Sequence, residues 1–222
     1  MLYVVPTPIG NLKDITFRAI EILQSVDYIL CEDTRTSAVL LNHYQISTKK
    51  LSYHSYNEHR ILTKIIQLLQ SGSKMALISD AGTPGISDPA YLLIQSCLKN
   101  NIAFSCLPGA TALIPALIHS GFPNHQFVFE GFLPPKKGRQ KKLKELATEP
   151  RTIIFYESPH RLLKTLDDLA LTFGAERKAC VCREISKLYE ESIRKNLAEL
   201  ILHFKTNIPK GECVIVLCGI DY

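Results

Sequence analysis

Short apolar runs rich in β-branched and aromatic residues alternate with helical patterns along the first half of the chain. The runs are residues 3–5, Tyr28–Cys31, Met75–Ile78 and 103–107, and turn-forming residues follow each of them. Residues 60–70 carry apolar side chains at helical spacing and are followed by Gly72. Strands that alternate with helices in this way predict an α/β fold with a parallel sheet.

The second half repeats the alternation of strands and helices after a segment that contains proline and glycine. A helix over 111–120, broken by Pro115, and a turn over 121–124 suggest a seam near residue 120. Beyond it the pattern predicts strands over 126–132, 152–156, 178–183 and 213–218, and a helix over 158–173 with Ser158 as N-cap. We therefore predict two α/β domains, 1–120 and 121–222, with a substrate cleft between them.

The most informative loop is the glycine- and proline-rich stretch 78–89, which follows an apolar strand. It is longer than an ordinary αβ connection, and Asp88 and Pro89 have the pattern of an N-cap followed by the first residue of a helix. In open α/β sheets, ligands bind beyond the carboxyl ends of the strands, so this loop and the other strand-end loops should converge on one crevice. Neither phosphate-binding glycine motif occurs, which argues against a triphosphate or a dinucleotide as ligand.

Composition narrows the class of protein. The 222 residues are 46% hydrophobic and contain no 18-residue apolar run, so we expect no transmembrane helix, and the early first strand leaves no room for a signal peptide. Seven cysteines lie scattered without a C-x-x-C pair, which indicates free thiols, a reducing cytoplasm and no metal site.

The net charge of +5 has a local origin. Residues 136–144 hold six of the 26 basic side chains and no acid, which leaves 20 basic against 21 acidic residues elsewhere. This favours a docking patch for a polyanion, although a lysine-rich solvated helix face is the alternative. The candidate RNA-binding residues are Arg35, which could clamp a phosphate or pair with Asp33, and Lys136, Lys137, Arg139, Lys141 and Lys142. Tyr53 and Tyr56 could stack on a splayed base, but core packing is the commoner fate of such tyrosines.

Several ordered motifs together resemble a known family. They are residues 5–12 (VPTPIGNL), 31–35 (CEDTR), 53–54 (YH) with 57–58 (NE), 79–89, 131–134 (GFLP), 155–161 (FYESPHR) and 183–187 (REISK). They resemble the small-subunit ribosomal RNA ribose 2′-O-methyltransferase I family of the tetrapyrrole methylase superfamily, from Leu2 to about Gly219.

The resemblance implies a two-domain class III methyltransferase with S-adenosylmethionine in the cleft between the domains. It implies 2′-O-methylation of a cytidine ribose in the decoding region of 16S ribosomal RNA, with the RNA or the small ribosomal subunit as partner, and a cytoplasmic homodimer. The cofactor contacts that it implies are Pro8, Ile9, Gly10, Ile78, Ser79, Asp80, Thr83, Thr111, Ala112, Tyr156, Glu157 and Ile185.

Methyl transfer to an alcohol needs alignment of the reacting atoms and help for a poor nucleophile. We expect Lys187, with Glu184 or Glu190 nearby, to act on the acceptor hydroxyl as a base or as a cation that lowers its pKa; a surface ion pair is the alternative. Two other functions stay open: methylation of a tetrapyrrole or a protein side chain by a superfamily relative, and RNA binding without catalysis.

Overall fold

The computed structural model describes residues 1–220, which divide into two compact units. The first unit is Met1–Thr111, and the second begins at Ala112. None of the helices within residues 1–220 is long and apolar enough to cross a membrane.

The first unit is a five-stranded parallel sheet with strand order β3-β2-β4-β1-β5 and intervening helices. Its elements are β1 (Leu2–Val4), α1 (Phe17–Ser25), β2 (Tyr28–Cys31), α2 (Thr34–His43), β3 (Lys49–Ser52), α3 (Glu58–Gln70), β4 (Met75–Ile78), α4 (Tyr91–Lys99) and β5 (Phe104–Cys106). β4 is buried along its whole length, as expected of a central parallel strand that is covered on both faces.

Two apolar clusters cover the two faces of this sheet. One joins Leu30 and Leu77 to Ile65 and Leu69 of α3 and to Leu93 of α4, and the other lies over α1 and α2. The helix predicted over 60–70 is therefore confirmed, and the side chains at its helical spacing form the core.

The second unit is a mixed sheet with strand order β6-β7-β10-β8-β9, in which only β6 and β7 are parallel neighbours. Its elements are α5 (Leu113–Ser120), β6 (Phe127–Phe132), α6 (Arg139–Leu146), β7 (Thr152–Glu157), α7 (Leu162–Phe173), β8 (Lys178–Arg183), β9 (Glu191–Asn196), α8 (Leu197–Thr206) and β10 (Cys213–Leu217). Alternate residues such as Phe155 and Ile215 pack on one face against the helices, including Leu166 of α7 and Phe204 of α8.

All seven cysteines are free thiols, as the sequence predicted, and Cys106 alone among them is exposed. Cys180 and Cys182 share one face of β8, with their sulfur atoms 3.6 Å apart. The second face of this sheet packs against α5, and Cys182 contacts the carbonyl oxygen of Ala116.

The boundary between the units lies before α5 rather than near residue 120. This helix packs on β8 and β10, so it belongs to the second unit, and Pro115 does not break it. Pro115 occupies the first turn, where a backbone N–H has no intrahelical partner to lose. Strands β3 and β9 were not predicted, because their side chains are mostly polar or partly exposed.

The predicted N-caps of two helices, Asp88 and Ser158, are wrong. Helix α4 begins at Tyr91 after Ala90, and helix α7 begins at Leu162 after Arg161; neither has a side-chain cap. Asp88 and Ser158 therefore lie in the preceding loops, although Gly174 ends α7 as predicted, with its N–H bonded to the carbonyl of Ala170.

Arg139 is not a surface residue of the basic segment. Only 4% of it is exposed, and its guanidinium donates to Asp168 Oδ2 at 2.7 Å, to Thr165 Oγ1 at 2.8 Å and to the Pro134 carbonyl at 3.3 Å. The Thr165 hydroxyl in turn donates to Glu157 Oε2 at 2.6 Å. The predicted RNA contact for Arg139 is therefore wrong, because its guanidinium is paired within a buried hydrogen-bond network that fixes the start of α6.

Arg139→Ala should lower the free energy of unfolding by about 3–5 kcal/mol, because it leaves the Asp168 carboxylate poorly solvated and unpaired. Lys141→Ala in the same helix is the control: this exposed side chain makes only an i,i+4 pair with Glu145 at 3.9 Å, so its change should stay within about 0.5 kcal/mol. Urea unfolding of both variants measures the difference, and equal losses would contradict the buried role of Arg139.

Candidate functional site

The strand-end loops of the first unit are bonded directly to one another. The Thr7 N–H donates to the Gly82 carbonyl at 2.9 Å, and the Gly82 N–H donates to the Thr7 carbonyl at 3.0 Å. The Thr7 hydroxyl also donates to the Ser79 carbonyl at 3.1 Å. The loops after β1 and β4, which the sequence predicted to converge, are therefore held in one fixed arrangement.

The loop after β5 joins the same group. The Thr83 hydroxyl donates to the Ala110 carbonyl at 2.9 Å, and Gly109 lies against Pro6, where an added Cβ would approach the proline Cβ to 2.5 Å. Only a residue without a side chain allows this contact, so glycine is required here for close approach of two loops.

A cavity of about 230 Å³ opens beside these loops within the first unit. Its walls include five of the predicted cofactor residues; the complete lining is Thr7, Pro8, Gly10, Leu12, Thr36, Ser37, Val39, Leu40, Ile78, Ser79 and Asp80. Small-molecule sites usually measure about 300–1,000 Å³, so this cavity can hold part of a nucleoside-sized ligand. The predicted residue Ile9 is half-buried next to it.

Three carboxylates, those of Glu32, Asp80 and Asp88, lie close together near the carboxyl ends of β2 and β4. Burial raises the pKa of Glu32 and that of Asp80, and the charge of Asp80 raises the pKa of Glu32 further. Asp80 also accepts a hydrogen bond from the Asp33 N–H at 3.1 Å, which links the loops after β2 and β4. This concentration of negative charge suits a ligand that carries a positive charge, as a sulfonium does.

Among these three acids, Asp88 has the pKa that departs most from its usual value. Burial and the nearby charge of Glu32 raise its pKa to about 7, although a hydrogen bond with Ser79 favours the ionised form. The sequence pattern assigned Asp88 to a helix cap, and only its folded position beside the other acids reveals its electrostatic role.

In the second unit, Tyr156 and Glu157 end β7 with side chains on opposite faces of the sheet. Tyr156 Oη accepts a hydrogen bond from the Leu113 N–H at 3.2 Å and remains half-buried. Glu157 is 2% exposed, and its oxygens accept bonds from Ser158 N and Thr165 Oγ1, with Arg161 Nη2 at 3.3 Å. Its carboxylate is therefore committed to the interior of the unit, and a role in ligand binding is left to its backbone.

The loop after β8 has a strained backbone. Glu184 and Ser186 adopt positive φ angles of 52° and 67° on either side of the buried Ile185. Such angles in non-glycine residues cost about 1–3 kcal/mol each and cluster at functional sites.

This loop holds the predicted catalytic Lys187 between two carboxylates. Its ammonium donates to Glu184 Oε1 at 2.9 Å and to Glu212 Oε2 at 3.0 Å. Partial burial alone would lower the pKa of Lys187, but the two carboxylates outweigh it and the pKa is raised. The two carboxylates thus favour the charged form of Lys187, which argues against a general base.

The partners of Lys187 differ in part from those expected. Glu184 is one of them, whereas Glu190 accepts a hydrogen bond from the Ser186 N–H at 2.6 Å and shapes the loop instead. Glu212 was missed, because nothing in the pattern before β10 distinguishes it from an ordinary surface acid.

Arg35, Thr111 and Ala112 are further residues that the sequence predicted for the site. Arg35 forms a two-pronged ion pair with Asp33, and its hydrogen bonds lower the pKa of Asp33 to about 2. The structure therefore favours the pair with Asp33 over a phosphate clamp. Thr111 and Ala112 stand on either side of the boundary between the units. Within residues 1–220, no group of three or more histidine, cysteine or acidic side chains is arranged to hold a metal ion.

The lysines of the basic segment are mostly available. Lys136, Lys137, Lys141 and Lys144 are exposed, and Lys142 is half-buried with Glu130 Oε1 at 3.1 Å. Four exposed cations therefore remain of the six basic residues in the segment.

Comparison with known proteins gives consistent matches along the chain. The model of the tetrapyrrole (corrin/porphyrin) methylases matches residues 1–201. A ribosomal RNA small subunit methyltransferase I of Synechocystis sp. is 52% identical over 99% of this chain and 79% of its own length. A protein of the same name from Thermotoga maritima is 47% identical over 98% of both chains.

Solved structures share the fold at lower identity. Cobalt precorrin-4 methyltransferase superposes with a TM-score of 0.72 at 17% identity, covering 98% of this chain and 94% of that one. A uroporphyrin-III C-methyltransferase of Thermus thermophilus, solved with S-adenyl homocysteine, gives 0.67 at 18% identity over 97% and 96% of the two chains. The predicted α/β methylase fold is thus confirmed, and the chain belongs to the ribosomal RNA small subunit methyltransferase I family of the tetrapyrrole methylases.

Proposed function

We propose that this protein transfers the methyl group of S-adenosylmethionine to the ribose 2′-hydroxyl of a cytidine in the decoding region of 16S ribosomal RNA. The observation that carries the proposal is the set of strand-end loops bonded around Thr7 and Gly82, with acids beside them. Relatives named ribosomal RNA small subunit methyltransferase I, at 52% and 47% identity, support an S-adenosylmethionine-dependent methylation of ribosomal RNA.

The residues of the first unit fit part of the cofactor. Pro8, Gly10 and Ile78 offer apolar surface, and Asp80 and Asp88 offer negative charge beside it. When bound, S-adenosylmethionine supplies an electrophilic methyl group, and the rigid loops keep it oriented. In the second unit, the half-buried Tyr156 and the buried Ile185 are the residues that we assign to the same ligand.

Lys187 supplies charge rather than a base. A ribose hydroxyl is a weak nucleophile at neutral pH, and the loss of its proton to water is favoured by a fixed cation nearby. Glu184 and Glu212 hold the ammonium in place without neutralising it by proton transfer, because they raise its pKa.

The acceptor is a polyanion in this proposal, because four lysines of the basic segment are exposed. A tetrapyrrole or a protein side chain is the competing acceptor, and the solved methyltransferases at 17% and 18% identity share the fold alone with this chain. A homodimer and a cytoplasmic location remain predictions.

Purified protein and S-adenosylmethionine should methylate small ribosomal subunits that lack the modification, and mass spectrometry should find the added methyl on a cytidine ribose. Porphyrinogens in a parallel reaction should receive none. Methylation of the porphyrinogen alone would refute the proposal, and failure to bind S-adenosylmethionine in a calorimetric titration would support the non-catalytic alternative.

Lys187→Ala should slow single-turnover methylation by about 10²-fold or more, because the developing negative charge on the ribose oxygen loses its cation. Lys195→Ala, which removes an exposed lysine of β9, is the control and should leave the rate unchanged. The dissociation constant for S-adenosylmethionine should be the same in both variants. Wild-type rates in Lys187→Ala would remove this residue from the mechanism.

The affinity for S-adenosylmethionine should rise between pH 6 and pH 8. Asp88 has a raised pKa of about 7 in the protein without cofactor, and a cationic ligand favours its ionised form. Binding is therefore weaker below this pKa, where Asp88 is neutral, and stronger above it. Calorimetry with wild type and Asp88→Asn measures the effect, with exposed Asp167→Asn as control.

The neutral product S-adenosylhomocysteine should show a smaller rise over the same pH range, since it lacks the sulfonium charge. An equally steep rise in Asp88→Asn would show that another group is responsible.

A further inference from the structure

Phe132 is an exposed aromatic side chain at the edge of the second sheet. It is the last residue of β6, the outermost strand on that side, and 53% of it is exposed. A single exposed apolar side chain is ordinary on a protein surface, so what Phe132 can bind depends on the groups that surround it.

Phe132 is one of three aromatic rings that pack in series, with Tyr156 between Phe129 and Phe132. Tyr156 lies beside it with ring centroids 5.7 Å apart at 67°, and Phe129 contacts Tyr156 at 4.9 Å and 70°. The Leu113 N–H fixes the Tyr156 hydroxyl at 3.2 Å. Phe132 is therefore held on a packed aromatic base, which reduces the entropy lost when a flat ligand stacks on it.

Two lysines follow Phe132 closely in the chain, at positions 136 and 137. Lys136 and Lys137 are exposed in the turn before α6, and among residues 1–220 neither forms an ion pair. The buried Arg139 anchors the turn through its hydrogen bond to the Pro134 carbonyl. An exposed aromatic ring followed closely in the chain by lysines on an anchored turn is the combination that single-stranded nucleic acids need, for stacking and for phosphate contacts.

The strand register places Phe132 and the Lys187 loop at the same end of the strands in the second sheet. Phe132 pairs with Tyr156 on β7, Tyr156 with Val214 on β10, and Val214 with Cys182 on β8, just before that loop. Three strand spacings separate the two ends, or about 14 Å. A base on Phe132 would therefore belong to a neighbour of the nucleotide whose ribose lies near Lys187.

We propose that Phe132 stacks on an unpaired RNA base flanking the target nucleotide, while Lys136 and Lys137 contact the adjoining phosphates. This inference rests on the proposed function. Of the two tyrosines considered for stacking, Tyr53 is buried in the first unit's core, whereas Tyr56 is exposed and its stacking role stays a prediction. The lysines favour RNA over a second protein chain as the occupant.

The test measures binding of the 222-residue chain to a fluorescently labelled single-stranded oligoribonucleotide with the decoding-region sequence, over a range of salt concentrations. Phe132→Ala should weaken binding by about 5- to 150-fold, the effect of losing one base stack. The slope of affinity against salt should not change, because stacking releases no counterions. Phe132→Tyr should restore binding, and Leu171→Ala, an exposed residue of α7 in the same unit, should have no effect.

Lys136→Ala combined with Lys137→Ala should weaken binding and also flatten the salt slope. Wild-type affinity in Phe132→Ala overturns the proposal. A fall in S-adenosylmethionine affinity in that variant assigns Phe132 to the cofactor instead, and a changed mass in solution assigns it to contact between two copies; either result also overturns the proposal.

These readouts are separate from those of the proposed function. If wild type methylates subunits while Phe132→Ala binds RNA normally, this inference alone fails. If wild type methylates none, the function fails, and the binding series still decides whether Phe132 stacks on RNA.

Discussion

The paired backbone hydrogen bonds between Thr7 and Gly82 are the constraint on which the candidate site depends. They join two loops that lie 75 residues apart in the chain, and Ser79 and Thr83 extend the bonding to the carbonyls around them. Because the bonds use backbone atoms and hydroxyls, the loops keep their shape without large side chains. The result is a rigid wall with room for a ligand and with acids at its edge.

The charged residues of this protein divide according to their partners rather than their sequence context. Arg139 lies inside a run of lysines, yet it is buried against Asp168, and Arg35 is paired with its neighbour Asp33. Lys187 is paired too, but its two carboxylates leave it partly exposed and cationic at the end of β8. Lys136 and Lys137 stay exposed, so the charge available to a polyanion is smaller and more localised than the composition suggests.

Periodicity predicted the strands and the long helices well, because a buried strand or an amphipathic helix carries its pattern in consecutive residues. Met75–Ile78 and Lys178–Arg183 match their predicted bounds. Caps were less predictable: Asp88 and Ser158 fit the preferences for a helix start, but the loops continue for a few residues beyond them. The boundary between the units also moved, since α5 joins the sheet that its apolar face covers.

The sequence by itself determined the alternation of strands and helices, the glycine- and proline-rich loops at the strand ends, and the motifs that identify the family. Each of these is a local property, set by neighbouring residues and backbone preferences. Only the tertiary structure decided that Asp88 sits among other acids, that Glu212 holds Lys187, and that Phe132 is exposed on an aromatic base. Burial and charge depend on residues that are distant in the chain, and a linear pattern does not contain those distances.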